Sequence, residues 1–512
     1  MNLLTDPLLT VSGNRKVSLP DLFAAMARGE VRGFPAMRPH QRPAWHMFLV
    51  QLGALALWSA GRTTVSREPA DWATILRGLT PDHADDSPWC LVVEEPARPA
   101  FLQPPDPGGL AWSPLATPDA LDLLITSRNH DLKQAVARQA SPEDWVFALV
   151  SLQTCEGQGG RKNYGIARMN GGFSSRPLLG LVSSNRGDVS VDPSRWWVRD
   201  VRRLLATARE GGVGVVGGPS LLWCLDWPEG QQIDLRDLDP WFIEVCRRVR
   251  LSQAGGRLFA VKSSSKASRI DAKAFRGNFG DPWAPIHNPE GKCFTLAERD
   301  FDYAMLCNLL FSGEYIVPLL AQHGSDETGD MILVAEAFSR GQGKTDGFKS
   351  RVIPVPGRVA PLLSSPTAAT FSKAQMDEIK VFDVALRDAI SIVSAGGSPE
   401  EVKKNRKKHS RRALPSQQRF DRAADRLFFP HLWNRIAANE MRDADAEGTA
   451  KIEFLEALRD AAEAELKSSL PAIPCPTIQR PRAEARAQRA FYARLRREHP
   501  LLFYKEDVDV AT

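Results

Sequence analysis

Three consecutive residues, Gly343, Lys344 and Thr345, match the end of the phosphate-binding loop found in many ATP-binding proteins. Such a loop cradles phosphates with backbone amides, and its lysine neutralises their charge. It requires a glycine five positions before the Gly-Lys pair, and this chain has Phe338 there. It also leads into a helix, whereas the residues that follow include Pro354 and show no helical period. Half of the motif is missing, which argues against ATP binding.

The same stretch could instead contact nucleic acid. Gly341 and Gly343 flank Gln342. The cations Arg340 and Lys344 lie just outside the glycines. Glycine lets backbone approach a ligand closely, two cations can hold phosphates, and a glutamine can contact base edges or be wedged against them. The alternative is an ordinary flexible hairpin tip with solvated charges, and spacing alone favours that alternative.

Two further loops combine glycine, cations and aromatic residues. The first contains three turn-forming residues: Asn170, Gly171 and Gly172. An Asn-Gly pair predicts a hairpin turn, but this loop could equally bring backbone into a DNA minor groove. In the second loop, Lys273 and Arg276 alternate with aromatic side chains. The alternative for the second loop is a surface segment anchored by buried aromatic residues.

A polar stretch, "LITSRNHDLK", contains Arg128, Asn129 and His130, followed by Asp131. It resembles a fragment of a metal-dependent nuclease, but such an enzyme needs further ligands around the same ion. The chain has no second histidine or paired acids at a recognisable spacing. A helix N-terminus, or a polar loop that contacts RNA, is the better interpretation. We therefore expect no metal ion, no other cofactor and no nuclease chemistry.

The densest run of positive charge is a ten-residue stretch in the C-terminal part of the chain. Its members are Lys403, Lys404, Arg406, Lys407, Lys408, Arg411 and Arg412. Charge runs are usually solvated surface, yet a run this dense on a loop is a candidate for contacts with DNA phosphates. The stretch "RPRAEARAQRAFYARLRREH" adds a second basic face.

The elements that must position these residues follow from length and pattern. A chain of 512 residues with 43% hydrophobic residues predicts two to four domains. The net charge of +5 permits an anionic partner without requiring one. Seven dispersed cysteines, none in a CxxC pair, suit reduced core thiols in the cytoplasm. The most apolar segment, Ala44 to Trp58, is short for a membrane span and predicts a buried helix.

The pattern predicts an α+β protein in which residues 1–370 form a large mixed α/β domain and residues 371–512 form a four-helix bundle. "LLTV", "WCLVVEE" and "MILVAEAF" read as strands. The first bundle helix is expected to begin at Ser372, which forms a capping box with Gln375, and to end at Gly396. The others are expected near residues 417–438, 450–469 and 482–497, with Pro430 kinking or splitting the second.

Taken in order, these segments resemble the large subunit (CasA type) of the type I-E CRISPR Cascade complex. The matching stretches are the opening "MNLL-D", "EEPARPAFLQP", "TSRNHDLK", "NYGIARMNGGFSSRP", "FRGNFGDPWAPI", "RGQGKTDGF" and "FDRAADRLFFPHLW". The resemblance implies a non-catalytic, crRNA-guided subunit that recognises the protospacer-adjacent motif (PAM) in duplex DNA and helps to open the duplex. It further implies assembly with the other Cascade subunits and a landing site for a helicase-nuclease, without any membrane.

The resemblance also implies roles for residues at matching positions. Gln342 would be the wedge that splits the duplex beside the PAM. The glycine loop facing the minor groove would be Asn170, Gly171 and Gly172, and the lysine finger would be Lys273. The crRNA would be contacted near Arg128, Asn129 and His130, or in the following "CEGQGGRKN". The chain departs from relatives that carry a central cysteine cluster, because it offers Cys224 alone there.

Two rival hypotheses use the same residues differently. The first is an ATP-dependent enzyme built on Gly343, Lys344 and Thr345. The second is a stand-alone DNA-binding protein that uses the basic C-terminal helices.

Overall fold

The computed structural model describes residues 1–121, 140–185, 189–207, 213–297, 299–341, 344–442 and 444–503. The chain divides into two compact units. The first consists of Met1–Phe301 and Gly313–Pro354, and the second of Asp302–Ser312 and Val355–Thr512. Helices and strands are mixed in the first unit and the second is helical, which confirms the predicted fold class.

In the described part of the first unit, five α-helices carry most of the core. They are α1 Leu19–Ala27, α2 Arg42–Ser59, α3 Pro69–Arg77, α4 Pro142–Cys155 and α5 Pro193–Ala206. Helices α1 and α4 begin with capping boxes, in which Ser18 and Ser141 exchange hydrogen bonds with an aspartate three residues later. Helix α2 is the predicted buried helix: fifteen of its eighteen residues are buried. None of the described helices is long and apolar enough to cross a membrane.

The strands of the first unit form several small sheets. They are β1 Leu9–Val11, β2 Arg15–Val17, β3 Ser113–Leu115, β4 Leu178–Ser183, β5 Ile233–Asp234, β6 Arg248–Ala254, β7 Arg257–Ser263, β8 Ile270–Asp271, β9 Ile286–His287, β10 Lys292–Cys293, β11 Tyr315–Ile316, β12 Met331–Gly341 and β13 Lys344–Val355. The sheet orders are β1-β2, β3-β7-β6, β5-β8, β10-β9-β11 and β13-β12-β4. In the last sheet β12 pairs antiparallel with the buried β4, so that Met331 faces Ser183 and Glu336 faces Leu178.

The segment "WCLVVEE" is not the predicted strand. Trp89 ends a 3₁₀ turn, and an isolated bridge joins Cys90 to Asn2. The buried Leu91 donates its backbone N–H to Met1 O (2.9 Å). Two acidic residues and Pro96 follow at once. Because a proline lacks the amide donor that a ladder needs, the apolar residues here anchor a local turn instead of extending a sheet.

The described part of the second unit contains seven α-helices. They are α6 Tyr303–Phe311, α7 Pro366–Ser394, α8 Pro399–Lys404, α9 Arg406–Arg411, α10 Leu414–Glu440, α11 Ala444–Ser469 and α12 Arg480–Glu498. The four long helices α7, α10, α11 and α12 pack on one another through apolar faces. The predicted apolar face of α7 is buried at Ile379, Phe382, Leu386, Ile390 and Val393. Gly396 and Gly397, with φ of 63° and 84°, follow the end of α7.

The predicted start of α7 is wrong. The helix begins six residues earlier, at Pro366, because Ser365 accepts the backbone N–H of Ala368 (3.2 Å) and a proline fits the first helical turn. Ser372 lies inside the helix, where its hydroxyl donates to Ala369 O (3.0 Å). Gln375 points inward and donates to Phe428 O (3.3 Å).

Pro430 does not split α10, which runs from Leu414 to Glu440. A proline inside a helix costs roughly 3 kcal/mol, since it removes a hydrogen bond and crowds the preceding turn. Around it Phe428, Phe429 and Leu432 are buried at 2% exposure or less. Their packing offsets the local cost, a case of tertiary contacts overriding sequence propensity.

Candidate nucleic-acid interface

The segment between α4 and β4 carries Asn170, Gly171 and Gly172. It folds back on itself, because Gln158 donates its backbone N–H to Gly172 O (2.7 Å) and Gly157 donates to Ser174 O (3.0 Å). A Cβ atom at Gly157 would lie 2.4 Å from Ser174 O and 2.6 Å from Gly172 O. Only glycine therefore fits at residue 157. No strands flank the three turn residues, so they form a loop tip rather than a β-hairpin.

A buried carboxylate fixes the backbone just before the turn. Glu244 accepts the backbone N–H of Ala167 (2.7 Å) and of Arg168 (3.1 Å). Burial raises the pKa of Glu244, although nearby arginine charge opposes the rise. The buried Arg168 guanidinium lies 4.4 Å above the Phe242 ring, and burial lowers the pKa of Arg168 to about 10. Buried groups that are distant in sequence therefore fix the backbone that leads into the turn.

A buried ion pair connects this segment to the loop that carries Lys273. Arg176 donates Nε–H to Asp281 Oδ2 (2.6 Å) and Nη1–H to Gln51 Oε1 (3.0 Å). The two side chains of the pair are 1% and 0% exposed. Burial alone would raise the pKa of Asp281, but the charges of Arg176 and Arg168 hold that pKa below its usual value. The carboxylate is thus ionised and stabilises both loops.

The Lys273 loop touches the first segment directly. Lys273 begins a 3₁₀ turn after β8, and Arg276 follows with φ of 52°. A Cβ atom at Gly277 would lie 2.8 Å from the carbonyl carbon of Met169 and 3.1 Å from Asn170 N. Gly277 also has φ of 77°, so glycine serves both the left-handed backbone and the close approach. Lys273 is exposed and has no ion-pair partner within the described ranges.

The two segments border one cleft of about 700 Å³. Its wall includes Asn170, Gly171, Gly172, Lys273, Arg276 and Arg269. Arg276 already forms an ion pair with Glu290, in which its Nη2 lies 3.5 Å from a carboxylate oxygen. Segment "CEGQGGRKN", the second candidate for RNA contact, reaches the same cleft through Gly157 and Gln158. The structure therefore brings the predicted glycine turn and the predicted lysine to the lining of one concave surface.

The end of β12 lies beside the same turn. Ser174 donates its hydroxyl to Phe338 O (2.5 Å), and Phe338 donates its N–H to Ser175 Oγ (2.8 Å). Phe338 precedes Arg340 by two residues, and β12 ends at Gly341. The strand that leads to a third predicted segment is thus hydrogen-bonded to the residues that follow the glycine turn.

Some predicted residues lie outside the described residues. They are Gln342 and Gly343, and the three RNA-contact candidates Arg128, Asn129 and His130. Their roles stay predictions. Lys344 begins strand β13, and Thr345 belongs to the same strand. A phosphate-binding loop must lead into a helix whose first amides hold phosphate, so the strand argues against the ATP-binding alternative.

The basic run of the second unit is not the predicted loop. Six of its seven cations lie in α8 and α9, and Arg412 follows the end of α9. Helix α8 is capped by Ser398, whose hydroxyl accepts the backbone N–H of Glu401 (3.2 Å). The buried His409 pins α9, with Nδ1 2.9 Å from Ser394 Oγ and Nε2 3.4 Å from Glu401 Oε1. Six of the seven cations are exposed, namely Lys403, Lys404, Arg406, Lys407, Lys408 and Arg411, and Arg412 is half-buried. The two helices thus expose these cations to solvent, while the buried His409 fixes α9.

Sequence patterns missed the residues that support the cleft. Glu244, Arg176 and Asp281 gave no signal, because their partners are 76 to 125 residues away along the chain. Gly157 and Gly277 lie within the glycine-rich motifs. Being glycine was the one indication in the sequence that backbone packs closely at these positions. The seven cysteines are free thiols. Burial raises the pKa of Cys155 and of Cys246 to about 12, as expected for unreactive core thiols.

Within the described ranges, no cluster of three or more His, Cys, Asp or Glu side chains is placed to hold a metal ion.

These features define a two-unit protein with a mixed α/β first unit that carries a cleft bordered by two loop segments, and a helical second unit with a basic surface. Its fold is that of the CasA (Cse1) proteins. The structure of Thermus thermophilus CasA (Cse1) matches with a TM-score of 0.62 and 17% identity over 97% of this chain and 99% of that chain.

Two further solved structures agree with that assignment. CRISPR-associated protein Cse1 from Acidimicrobium ferrooxidans matches with a TM-score of 0.61 and 15% identity, covering 97% of this chain and 98% of that one. Thermobifida fusca Cse1 matches with a TM-score of 0.63 and 12% identity, covering 98% of both chains. No family model matches the sequence, and no curated protein matches it. The likeness is therefore one of fold, spread over nearly the whole chain.

Proposed function

We propose that this chain is the large subunit of a crRNA-guided CRISPR Cascade complex and that its cleft contacts the PAM in duplex DNA. The observation that supports the proposal is that two separately predicted segments share a cleft and that the strand leading to a third is bonded to one of them. Asn170–Gly172 and Lys273 border one cleft, and the strand leading to Gln342 is hydrogen-bonded to the segment that follows the glycine turn. The full-length CasA (Cse1) fold supports the same conclusion.

The chemistry of the cleft suits a narrow groove of DNA. Gly171 and Gly172 have φ of 66° and 86° and no side chains, so the backbone itself can approach base edges. The minor groove offers few distinguishing groups, and close backbone approach reads its width and acceptors. In this proposal the exposed Lys273 contacts a base edge of the motif. Supporting hydrogen bonds and the buried ion pair keep the turn in place before DNA arrives.

Duplex opening is assigned to Gln342. An inserted side chain helps to hold apart a base step whose unstacking costs a few kcal/mol. Guide pairing then reads the target sequence, while the protein reads the short flanking motif. In this proposal Arg128, Asn129 and His130, or the segment "CEGQGGRKN", contact the crRNA.

The proposed partners are crRNA, target duplex DNA, the other Cascade subunits and a helicase-nuclease that docks after target binding. The role is one of binding rather than catalysis, in the cytoplasm. The exposed cations of α8 and α9 would contact DNA phosphates, a contribution that is independent of sequence and weakens with salt.

The proposal is tested in the reconstituted complex. Lys273→Ala should weaken binding to duplexes with the PAM by roughly tenfold while leaving PAM-free binding nearly unchanged, because the variant removes one charged hydrogen bond at the motif. Lys16→Ala is the matched control, since Lys16 is an exposed lysine on β2 with no ion pair within the described ranges. Equal effects of the two variants would contradict the assignment of the cleft.

Duplex opening is measured separately. Gln342→Ala should reduce permanganate reactivity of thymines beside the PAM and should leave assembly with crRNA intact. Normal reactivity in this variant would remove the wedge assignment without affecting the assignment of the cleft.

A further inference from the structure

Helix α12 carries more positive charge than its neighbours neutralise within the described ranges. The helix contains seven arginines and two glutamates. Three of the arginines form ion pairs: Arg480 with Glu484 (3.2 Å), Arg494 with Asp388 (2.9 Å) and Arg497 with Glu498 (2.6 Å). The other four are exposed and have no acidic partner in the part of the chain that the structure describes: Arg482, Arg486, Arg489 and Arg496.

These four arginines form one stripe, called here the α12 stripe. They are separated by four, three and seven residues, so at 3.6 residues per turn they lie within about 80° of one another around the helix. Ala487, Phe491 and Leu495 occupy the opposite side and are fully buried. A rise of about 1.5 Å per residue makes the stripe about 21 Å long. The helix therefore turns a continuous line of guanidinium groups away from the core.

A groove accompanies the first part of the stripe. Arg482, Arg486 and Arg489 line an open concave surface of about 1040 Å³ together with the start of α8. Two acids share this lining, but Glu401 already accepts a hydrogen bond from Asn405 (2.8 Å), which leaves Glu400 against three arginines. Guanidinium groups pair well with carboxylates and phosphates. An excess of them along a groove favours an extended, negatively charged chain.

The protein itself contains such a segment beside the other end of the stripe. The described residues end at Phe503, whose ring centroid lies 5.1 Å from the guanidinium carbon of Arg496. The next nine residues, 504–512, lie outside the described ranges and read "YKEDVDVAT", with three acids and one lysine. Nine extended residues span about 30 Å, which exceeds the length of the stripe. Glu506 and Asp507 can reach about 10–13 Å from Phe503, and Arg489 lies about 10 Å from Arg496 along the helix.

We propose that residues 504–512 fold back along α12, that their acids pair with the α12 stripe, and that this contact competes with nucleic acid for the same arginines. The tether favours this occupant over a separate polyanion, because a short linker gives an effective concentration on the order of mM. Each exposed ion pair is weak by itself. The contact is therefore reversible, and salt weakens it.

Modification by phenylglyoxal, which reacts with accessible arginine side chains, measures the contact in the full chain when the sites are quantified by mass spectrometry. The test variant combines Glu506→Gln, Asp507→Asn and Asp509→Asn. At low salt, Arg489 and Arg496 should react roughly two- to tenfold more slowly in the wild type than in this variant. Salt of about 0.5 M should remove that protection.

Two controls separate the contact from a general change in reactivity. Arg422 and Arg426 are exposed on α10 and should react equally in both proteins. Lys505→Gln changes one charge of the same segment without removing an acid, so it should keep the protection of the stripe. Equal reaction rates of Arg489 and Arg496 in the wild type and the triple variant would overturn the proposal. So would an equal change at Arg422 and Arg426.

A fifteen-residue oligothymidylate tests the competition. It should bind the triple variant roughly two- to tenfold more tightly than the wild type, because the open stripe adds arginines for its phosphates. Equal affinities would overturn the competition. If the oligonucleotide protects the stripe arginines while the triple variant changes no reaction rate, the stripe serves nucleic acid alone and the proposal fails. Every measurement uses the isolated full chain without crRNA, so this contact can fail while the proposed function stands, and the reverse also holds.

Discussion

Asp281→Asn tests whether the buried pair with Arg176 holds the two cleft segments together. The substitution removes one charge at nearly constant volume. The asparagine amide oxygen can still accept the backbone N–H of Trp283, which lies 3.0 Å from Asp281 Oδ1. The Arg176 guanidinium, 1% exposed, would then be buried without its counter-charge, and its Nη2 already lacks a partner among the described residues.

The expected cost is large. Removing one partner from a buried ion pair typically destabilises a protein by about 3–5 kcal/mol, because the remaining charge is desolvated and uncompensated. We expect the upper part of that range. Arg168 is a second buried cation, and its pKa is lowered to about 10 by burial and then by the charge of Arg176. Asp281→Asn would leave Glu244 as the buried acid near both cations.

The matched control breaks an exposed pair of the same chemistry. Arg98 Nη2 lies 2.8 Å from Asp85 Oδ2, with side chains 42% and 41% exposed. Asp85→Asn should therefore cost no more than about 1 kcal/mol, since exposed pairs are screened by water. Arg176→Met combined with Asp281→Asn should destabilise the protein by less than the sum of the single variants, because no buried charge remains unpaired.

Urea unfolding followed by tryptophan fluorescence measures these costs. Of the 13 tryptophans, Trp433 is the one in the second unit, so the signal reports mainly on the first. If Asp281→Asn lowers the unfolding free energy no more than Asp85→Asn does, the buried pair does not stabilise the cleft and the reasoning is refuted.

The pH dependence has a defined sign. Because Arg176 helps to hold the folded-state pKa of Asp281 below its usual value, the stabilisation is present above the unfolded-state pKa of about 3.9. It is lost as the pH falls through the lower folded-state value. The stability difference between wild type and Asp281→Asn should thus be constant from about pH 7 to about pH 5 and should shrink below about pH 4.

Two other predictions concern the turn and the basic helices. Gly157→Ala places a Cβ against two backbone carbonyls and should lower the free energy of unfolding by about 1–3 kcal/mol or more. Its control is Gly33→Ala, whose Cβ meets nothing within 4 Å and should change that free energy by less than about 0.5 kcal/mol. Thermal unfolding compares the two variants, and equal stabilities would contradict the tight fit at residue 157. Removing two charges from α8 and α9 should weaken DNA binding by the complex equally for all sequences and flatten its salt dependence by roughly one unit of slope for each phosphate that is no longer neutralised. An unchanged slope would show that these charges are merely solvated. The variant pair is Lys403→Gln with Lys407→Gln, and its control in the same unit is Lys373→Gln with Lys467→Gln.

Local patterns carried much of the fold. The spacing of Ile379, Phe382 and Leu386 predicted the buried face of α7 because a helix repeats every 3.6 residues and one side must face the core. The apolar stretch from Ala44 to Trp58 predicted the buried helix α2, because it is short for a membrane span and carries the polar residues His46 and Gln51. Long-range contacts outweighed local signals at Pro430, where the helix does not split because buried neighbours retain the proline's helical position.

The candidate site shows the same division. The sequence by itself determined the residue types that suit a nucleic-acid interface: glycine turns, a lysine among aromatic residues and a dense basic run. Only the tertiary structure decided that Asn170–Gly172 and Lys273 share a cleft. It also decided that Tyr303–Phe311 belongs to the helical unit, where Tyr303 OH donates to Asp421 (3.0 Å). The physical reason is that buried pairs such as Arg176–Asp281 join residues 105 positions apart, and no local periodicity encodes which distant partner satisfies a buried charge.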